Sequence, residues 1–291
     1  VKPLDIVLAT IVAMLWGVGF VLTRVAVEEM SSTLLTLLRF AIAAIPCLIL
    51  ARPKLPLRIL GGISLLILCQ FLAQTYGMAH GVPAGLTAVI VQSQALFTIA
   101  FAAVLLGEKP TPAQIAGIAV AACGLLLICF TVGYDFSAFA FALTMTAPVS
   151  FALGNLLLRS ARDVPMLDLS AWVGLLTLPP LLVMVFAVDG PTDTWHSLTH
   201  MSLKTFACLL MLSLGSTTIG YWIWGRLLRT YTAAQVVPFA LLIPFIGAGA
   251  SSLVFGETFG PLRLAGAAIV IAGLAIMLFV GRPQALPKVF D

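Results

Sequence analysis

Polar and aromatic side chains stand at helical spacing inside runs that are otherwise apolar. Gln70 and Gln74 are one helical turn apart, and Tyr76 and His80 form a second such pair on an adjoining arc. Thr87, Gln94 and Thr98 fall within about 40° of one another at about 100° per residue. In a later run Ser213, Ser216, Thr217, Gly220 and Trp224 share one face, with Tyr221 beside it. Thr144 and Asn155 share another that also carries Pro148, and Trp16 and Phe20 are again one turn apart. These groups suit binding rather than covalent chemistry. Amides and hydroxyls can meet a polar solute, and rings can stack or hold an ammonium by cation–π contact. The competing reading is hydrogen bonding between helices, which Ser, Thr and Gln commonly provide. Residue by residue the two weigh evenly; as stripes they favour a cavity lined by Trp16, Phe20, Gln70, Gln74, Tyr76, His80, Gln94, Asn155, Ser216, Tyr221 and Trp224.

The elements that position these groups must be membrane helices. Of the 291 residues 61% are hydrophobic and only 9% charged, with a mean hydropathy of +1.14. A soluble domain of this length has too little polar surface to cover so much apolar side chain. The apolar runs are far longer than barrel strands. Ten spans are expected, at 5–28, 32–50, 57–80, 83–106, 112–130, 138–159, 167–188, 203–229, 232–255 and 261–280. The fold class is an all-α polytopic membrane protein. Thr111-Pro112 and Gly260-Pro261 each read as a cap followed by proline at the first helical position, and Asp189-Gly190-Pro191-Thr192-Asp193 as a turn. The apolar start at Val1 is read as a retained first span.

Basic residues set the expected direction. Lys2, Arg52, Lys54, Arg58, Lys109, Arg159, Arg162, Arg226, Arg229, Arg282 and Lys288 fall on one side, against Arg24, Arg39, Lys204 and Arg263 on the other. The acidic Glu28, Glu29, Asp135, Asp189 and Asp193 lie on that second side. The excess predicts both termini in the cytoplasm.

The chain repeats itself. LGEKPTPAQIAGIAVAACGL at 106–125 matches FGETFGPLRLAGAAIVIAGL at 255–274 with a constant offset of 149. More weakly, Gly19 and Arg24 recur as Gly154 and Arg159. Two five-helix halves, 1–133 and 134–291, are expected, and an odd number of spans makes the second enter the membrane from the opposite side. Inverted repeats of this kind build many secondary transporters, with the substrate near the midplane. Glu108 and Glu257 precede spans five and ten and are expected to cap those helices. Gly117 and Gly124, like Gly266 and Gly273, lie seven apart on one face and predict close-packed scaffold seams.

Ten spans, two halves and the paired Gly-Glu turns resemble the EamA-like transporters of the drug/metabolite transporter superfamily. The run FLAQTYGMAHGVPAGLTAVIVQSQALFT at 71–98 is most similar to the bacterial aromatic amino-acid exporters of that superfamily. The resemblance covers essentially the whole chain. It implies export of small organic molecules from the cytoplasm, across the bacterial inner membrane, through a central cavity by alternating access.

Absences in the sequence narrow the chemistry. No Asp or Glu falls in the middle third of any expected span, where an ion-coupled carrier often keeps one. No glycine-flanked serine with an in-membrane histidine, in-membrane aspartate pair, P-loop or HExxH motif marks an enzyme. A phosphorylated-sugar carrier would want several cavity cations, and only Arg39 qualifies; it is expected either to pair with Glu28 or Glu29, the slightly favoured reading, or to bind a substrate carboxylate. His196, His200 and Asp193 form only a weak metal pattern, and Cys47, Cys69, Cys123, Cys129 and Cys208 lie in apolar runs without a CxxC pair. No cofactor, metal or nucleic acid is implied; the partners are the lipid bilayer and a small neutral substrate, most readily a large apolar or aromatic amino acid. A carrier for drugs or other small metabolites is the alternative.

Overall fold

A computed structural model describes residues 1–131 and 136–279, without the side chains of Ala233 and Ala234. Asp135, Arg282, Lys288 and the expected boundary after residue 133 lie outside the described residues. The helices are α1 (Pro3–Ala26), α2 (Ser32–Leu48), α3 (Leu57–Ala79), α4 (Ala84–Leu106), α5 (Pro112–Cys129), α6 (Ala138–Ala161), α7 (Met166–Met184), α8 (Leu203–Thr230), α9 (Val237–Phe255) and α10 (Pro261–Phe279). They match the ten expected spans. Among the described residues only α2 is short for a bilayer, its last turn tightening to 3-10 geometry over Ile45–Leu48 around Pro46.

Local chemistry sets most boundaries. Thr111 and Gln114 form a reciprocal capping box at the start of α5, with Pro112 at the first helical position. Ser31, Ser137 and Ser202 cap α2, α6 and α8 through their hydroxyls. Gly107 and Gly256 stop α4 and α9 at φ +67° and +65°, a conformation that favours glycine at a helix end. This explains the glycine of both Gly-Glu turns. The segment read as a turn at Asp189 does turn, at Gly190 with φ +77°, but continues as a short helix, Gly190–Thr199.

The helices pack in pairs that map onto one another when the halves are exchanged. α5 packs on α10 and α2 on α7; α1 packs on α9 as α6 does on α4. In the α5–α10 seam a methyl group on Gly124 would lie 2.6 Å from Gly266 O and Val270 N, and one on Gly273 2.6 Å from Gly117 O. Backbone approach this close leaves no room for a side chain, as the small-residue faces predict.

Two helices are interrupted at corresponding depth. α4 breaks at Gln92–Ser93, between helical segments Ala84–Val91 and Gln94–Leu106. Ser93 returns its hydroxyl to Ile90 O at 2.7 Å, a local bond that competes with the helical ladder. At the repeat offset, a short helical segment, Ala233–Val236, leads into α9 and is separated from its regular part, Leu242–Phe255, by a 3-10 turn over Val237–Leu241 with Pro238 near its start. α8 widens to a π-helix over Met211–Ile219, where the Thr217 and Thr218 hydroxyls bond carbonyls five residues back.

Candidate functional site

The interruptions of α4 and α9 are joined. Gln92 donates through Nε2 to Ala240 O at 2.8 Å, carrying a side chain of the first half into the broken turn of the second. Gln92 was not among the expected site residues. The helical stripe through Thr87, Gln94 and Thr98 assumed an unbroken helix, and the break separates Thr87 from Gln94 and Thr98, which stay one turn apart. Thr87, fully buried, donates to Pro83 O just before its own helix. Gln94 keeps its Oε1 buried without a hydrogen-bond partner. Thr98 receives Asn155 Nδ2 from α6 at 3.1 Å.

Span eight likewise divides its expected stripe between two neighbours. Ser216 faces α1, where its hydroxyl reaches Leu15 O and its carbonyl accepts Trp16 Nε1, each at 2.9 Å. The Trp16 ring lies 5.5 Å from Tyr221 and 5.1 Å from Trp224, so the two halves meet through three aromatic rings. Thr217, one residue on, faces α2 and accepts Arg39 Nε at 3.0 Å. The widened turn of the π-helix spreads adjacent residues over more than one neighbour.

The remaining expected residues are dispersed. Phe20 packs on Ala73, Val91 and Ala147, from α3, α4 and α6. Gln70 and Gln74 are buried on α3, Gln70 with an unpartnered Oε1. Tyr76 and His80 lie at the end of α3, where exposed His80 bonds Tyr76 O at 2.8 Å and packs T-shaped on the Phe139 ring, centroids 5.8 Å apart. His196 and His200 stack 4.1 Å apart at the end of the short helix Gly190–Thr199. Among the described residues no three His, Cys, Asp or Glu gather as metal ligands.

A narrow cavity of about 50 Å³ lies between α3 and α8 and is closed by α2, α6 and α7, with room for a few waters. Phe40, Ile67, Phe71, Val173, Thr217 and Tyr221 are among the residues that border it. Its walls come from both halves.

Three charged groups depart from expectation. Arg39 pairs with neither Glu28 nor Glu29; Glu29 instead accepts the Ser202 hydroxyl at 2.8 Å and backbone N–H at 3.1 Å. Those bonds, the hydroxyl's foremost, hold the Glu29 carboxyl below its ordinary range. Glu257 caps not α10 but the start of α4 in the other half, accepting Ala84 N at 3.1 Å, Gly85 N at 3.4 Å and the Ser251 hydroxyl. Glu108 does not cap α5, which has its own box, but pairs with Arg159 at the end of α6. Both glutamates therefore reach across to the opposite half.

The EamA-like transporter family model matches residues 4–130 and again 138–279, once for each half. The chain belongs to the EamA-like transporter family. It is a multi-pass membrane transporter, not an enzyme. A protein of Salmonella typhimurium described as a probable amino-acid metabolite efflux pump is 34% identical, with 97% of each chain covered. One of Escherichia coli K12 with the same description is 34% identical over 94% of this chain and 95% of its own. A probable terminal-alkyne amino-acid exporter of Streptantibioticus cattleyicolor is 28% identical over 90% of this chain and 89% of its own. A solved crystal structure shares the fold at TM-score 0.67 and 14% identity, covering 97% of this chain and 98% of that one.

Proposed function

We propose that this transporter exports neutral amino acids, large apolar or aromatic ones foremost, or their close metabolites. It does so by alternating access between two inverted halves, 1–133 and 134–291, with both termini in the cytoplasm. The observation that carries the reading is the pair of interrupted helices, α4 and α9, broken at corresponding positions and joined by Gln92 and Ala240. Paired breaks in the two halves are where such folds expose backbone and amide groups to a substrate. Gln94, beside the break, holds an unpartnered oxygen that can accept from a substrate ammonium. Trp16, Phe20, Tyr221 and Trp224 supply ring faces for apolar or aromatic side chains. Gln70, Gln74, Asn155 and Ser216 complete the polar lining, with Tyr76 and His80 at its outer rim. The description of the Salmonella and Escherichia relatives as amino-acid metabolite efflux pumps supports the substrate class.

The test is uptake and counterflow of a labelled neutral amino-acid panel in proteoliposomes, with and without a pH gradient. Saturable movement of at least one large neutral amino acid is expected. Efflux of a cationic dye, with no movement of any amino acid, would replace this reading with that of a drug carrier.

A further inference from the structure

Arg39 is only 8% exposed in the middle of α2. An arginine stays charged, and a charge inside a membrane protein is costly without a partner of opposite sign. Among the described residues no carboxylate lies within ion-pair distance of it. Its Nε donates to Thr217 Oγ1, and its guanidinium carbon lies 4.4 Å from the Phe71 ring centroid. Thr217 fixes one edge and Phe71 supports one face, so the plane of the group is held from two directions. Thr217 and Phe71 both border the cavity between α3 and α8. Beyond them its wall is mostly apolar, through Phe40, Ile67 and Val173, with the Tyr221 ring at its side.

From this we propose that Arg39 is the anchor for the substrate's carboxylate, and that the adjoining α3–α8 cavity receives a neutral apolar side chain. The proposal builds on the amino-acid reading above and adds to it one residue and one chemical requirement. A planar guanidinium offers two parallel N–H bonds to a carboxylate, which neither an amide nor an ester group can match. Among the described residues no carboxylate lines the cavity to compete for it. The substrate's own carboxylate would supply the missing counter-charge, so that the site selects for an anion-bearing end without selecting for a net anion. Arg39 comes from the first half and Thr217 from the second, so the anchor also joins the halves.

The test measures binding to the detergent-solubilised full chain, independently of transport. Three probes separate the groups: leucine, leucinamide and 4-methylpentanoate, which share a side chain and differ in carboxylate and amine. Leucine and 4-methylpentanoate should compete with each other and leucinamide should not. Arg39→Gln should weaken both carboxylates by at least about tenfold, the loss of one charge-assisted hydrogen bond. Unchanged carboxylate affinity in folded Arg39→Gln overturns the proposal, as does a wild-type chain that binds no carboxylate probe. Should Arg39→Gln fail to fold, Arg39→Lys decides, because it keeps the charge but not the planar fork; unchanged affinity there overturns it equally. Arg39-dependent carboxylate binding without amino-acid transport would keep the anchor and remove the export reading. Amino-acid transport with Arg39-independent binding would do the reverse.

Discussion

The α5–α10 seam permits a sharp test of what holds the two halves together. Substituting Gly124 by alanine places a methyl 2.6 Å from Gly266 O and from Val270 N, about 0.8 Å inside ordinary contact. Both atoms belong to the backbone of α10, so no rotamer change can relieve the clash and the helices must separate. Overpacking of this kind costs about 1–3 kcal/mol, and separation would also loosen the reciprocal contacts of Gly117 and Gly273. Against that stands the usual gain of about 0.5–1 kcal/mol for glycine to alanine in a helix, so Gly124→Ala should be destabilising by roughly 1–2 kcal/mol net and Gly124→Val by more. The control is Gly61→Ala in α3, where an added methyl meets nothing within 4 Å; it should be neutral or stabilising. Gly266→Ala addresses the same contact from the other side, with its methyl 2.9 Å from Gly124 O. The double variant should therefore cost less than the sum of its parts, since one separation relieves both clashes. The assay is the thermal midpoint of purified protein in detergent, followed by size-exclusion recovery. A Gly124→Ala midpoint at or above that of Gly61→Ala would refute the close-seam reasoning.

Four further outcomes are expected. Gln94→Leu should lower transport per folded molecule by about tenfold through loss of one hydrogen bond of ~1.5 kcal/mol, while Tyr221→Ala should impair aromatic substrates more than aliphatic ones and Tyr221→Phe should be the milder change; proteoliposome kinetics read all three. Glu257→Gln and Glu108→Gln should each reduce folded yield more than apparent affinity, because the carboxylates hold Ala84 N–H and Arg159 across the halves; abolished transport at normal yield would place them in the transport path. Glu29, whose carboxyl titrates below the ordinary range, contributes stability above its unfolded pKa of about 4.5 that is lost as pH falls through the lower folded value. The protection factor of Ser202 N–H, its exchange measured against the intrinsic rate at each pH, should then fall on acidification in the wild type more than in Glu29→Gln. In a background lacking the native cysteines, Thr192→Cys should react with an impermeant thiol reagent from outside and Lys54→Cys and Arg162→Cys should not; reaction of all three from one side would contradict the orientation.

The parts of the fold legible in the sequence are those set by neighbours along the chain. Hydropathy marks the spans, Thr111-Pro112-Ala113-Gln114 writes its capping box in four letters, and the glycines of the Gly-Glu turns mark the helix stops. The seam was legible for a related reason: small residues seven apart on one face can serve little else. The glutamates show the limit. Their position before a helix suggested a cap on that helix, whereas the partners are Ala84 and Arg159, more than fifty residues away in each case. Helical-wheel reasoning failed where the helix was not regular, at Gln92–Ser93 and across Met211–Ile219. The clustered polar letters of Gln92-Ser93-Gln94 were the available signal for the first. For Arg39 the sequence left a choice between partners, and the choice depended on where Glu29 turned.

The widened turns of α8 have a consequence for how this chain tolerates change in length. A π-helical segment holds an extra residue without displacing the helix on either side, the flanks keeping their faces. Removing a residue is ordinarily among the most damaging edits to a membrane span, since it rotates everything beyond it by about 100°. Within Met211–Ile219 a single deletion would instead let the wide turns close into regular α-helix, leaving Leu209 and Trp224 on the faces they already occupy. The loss would fall on what the surplus residue provides, the separate aim of Ser216 toward α1 and of Thr217 toward α2. The stretch of this span most forgiving of a deletion is thus the one that points neighbouring hydroxyls at different helices.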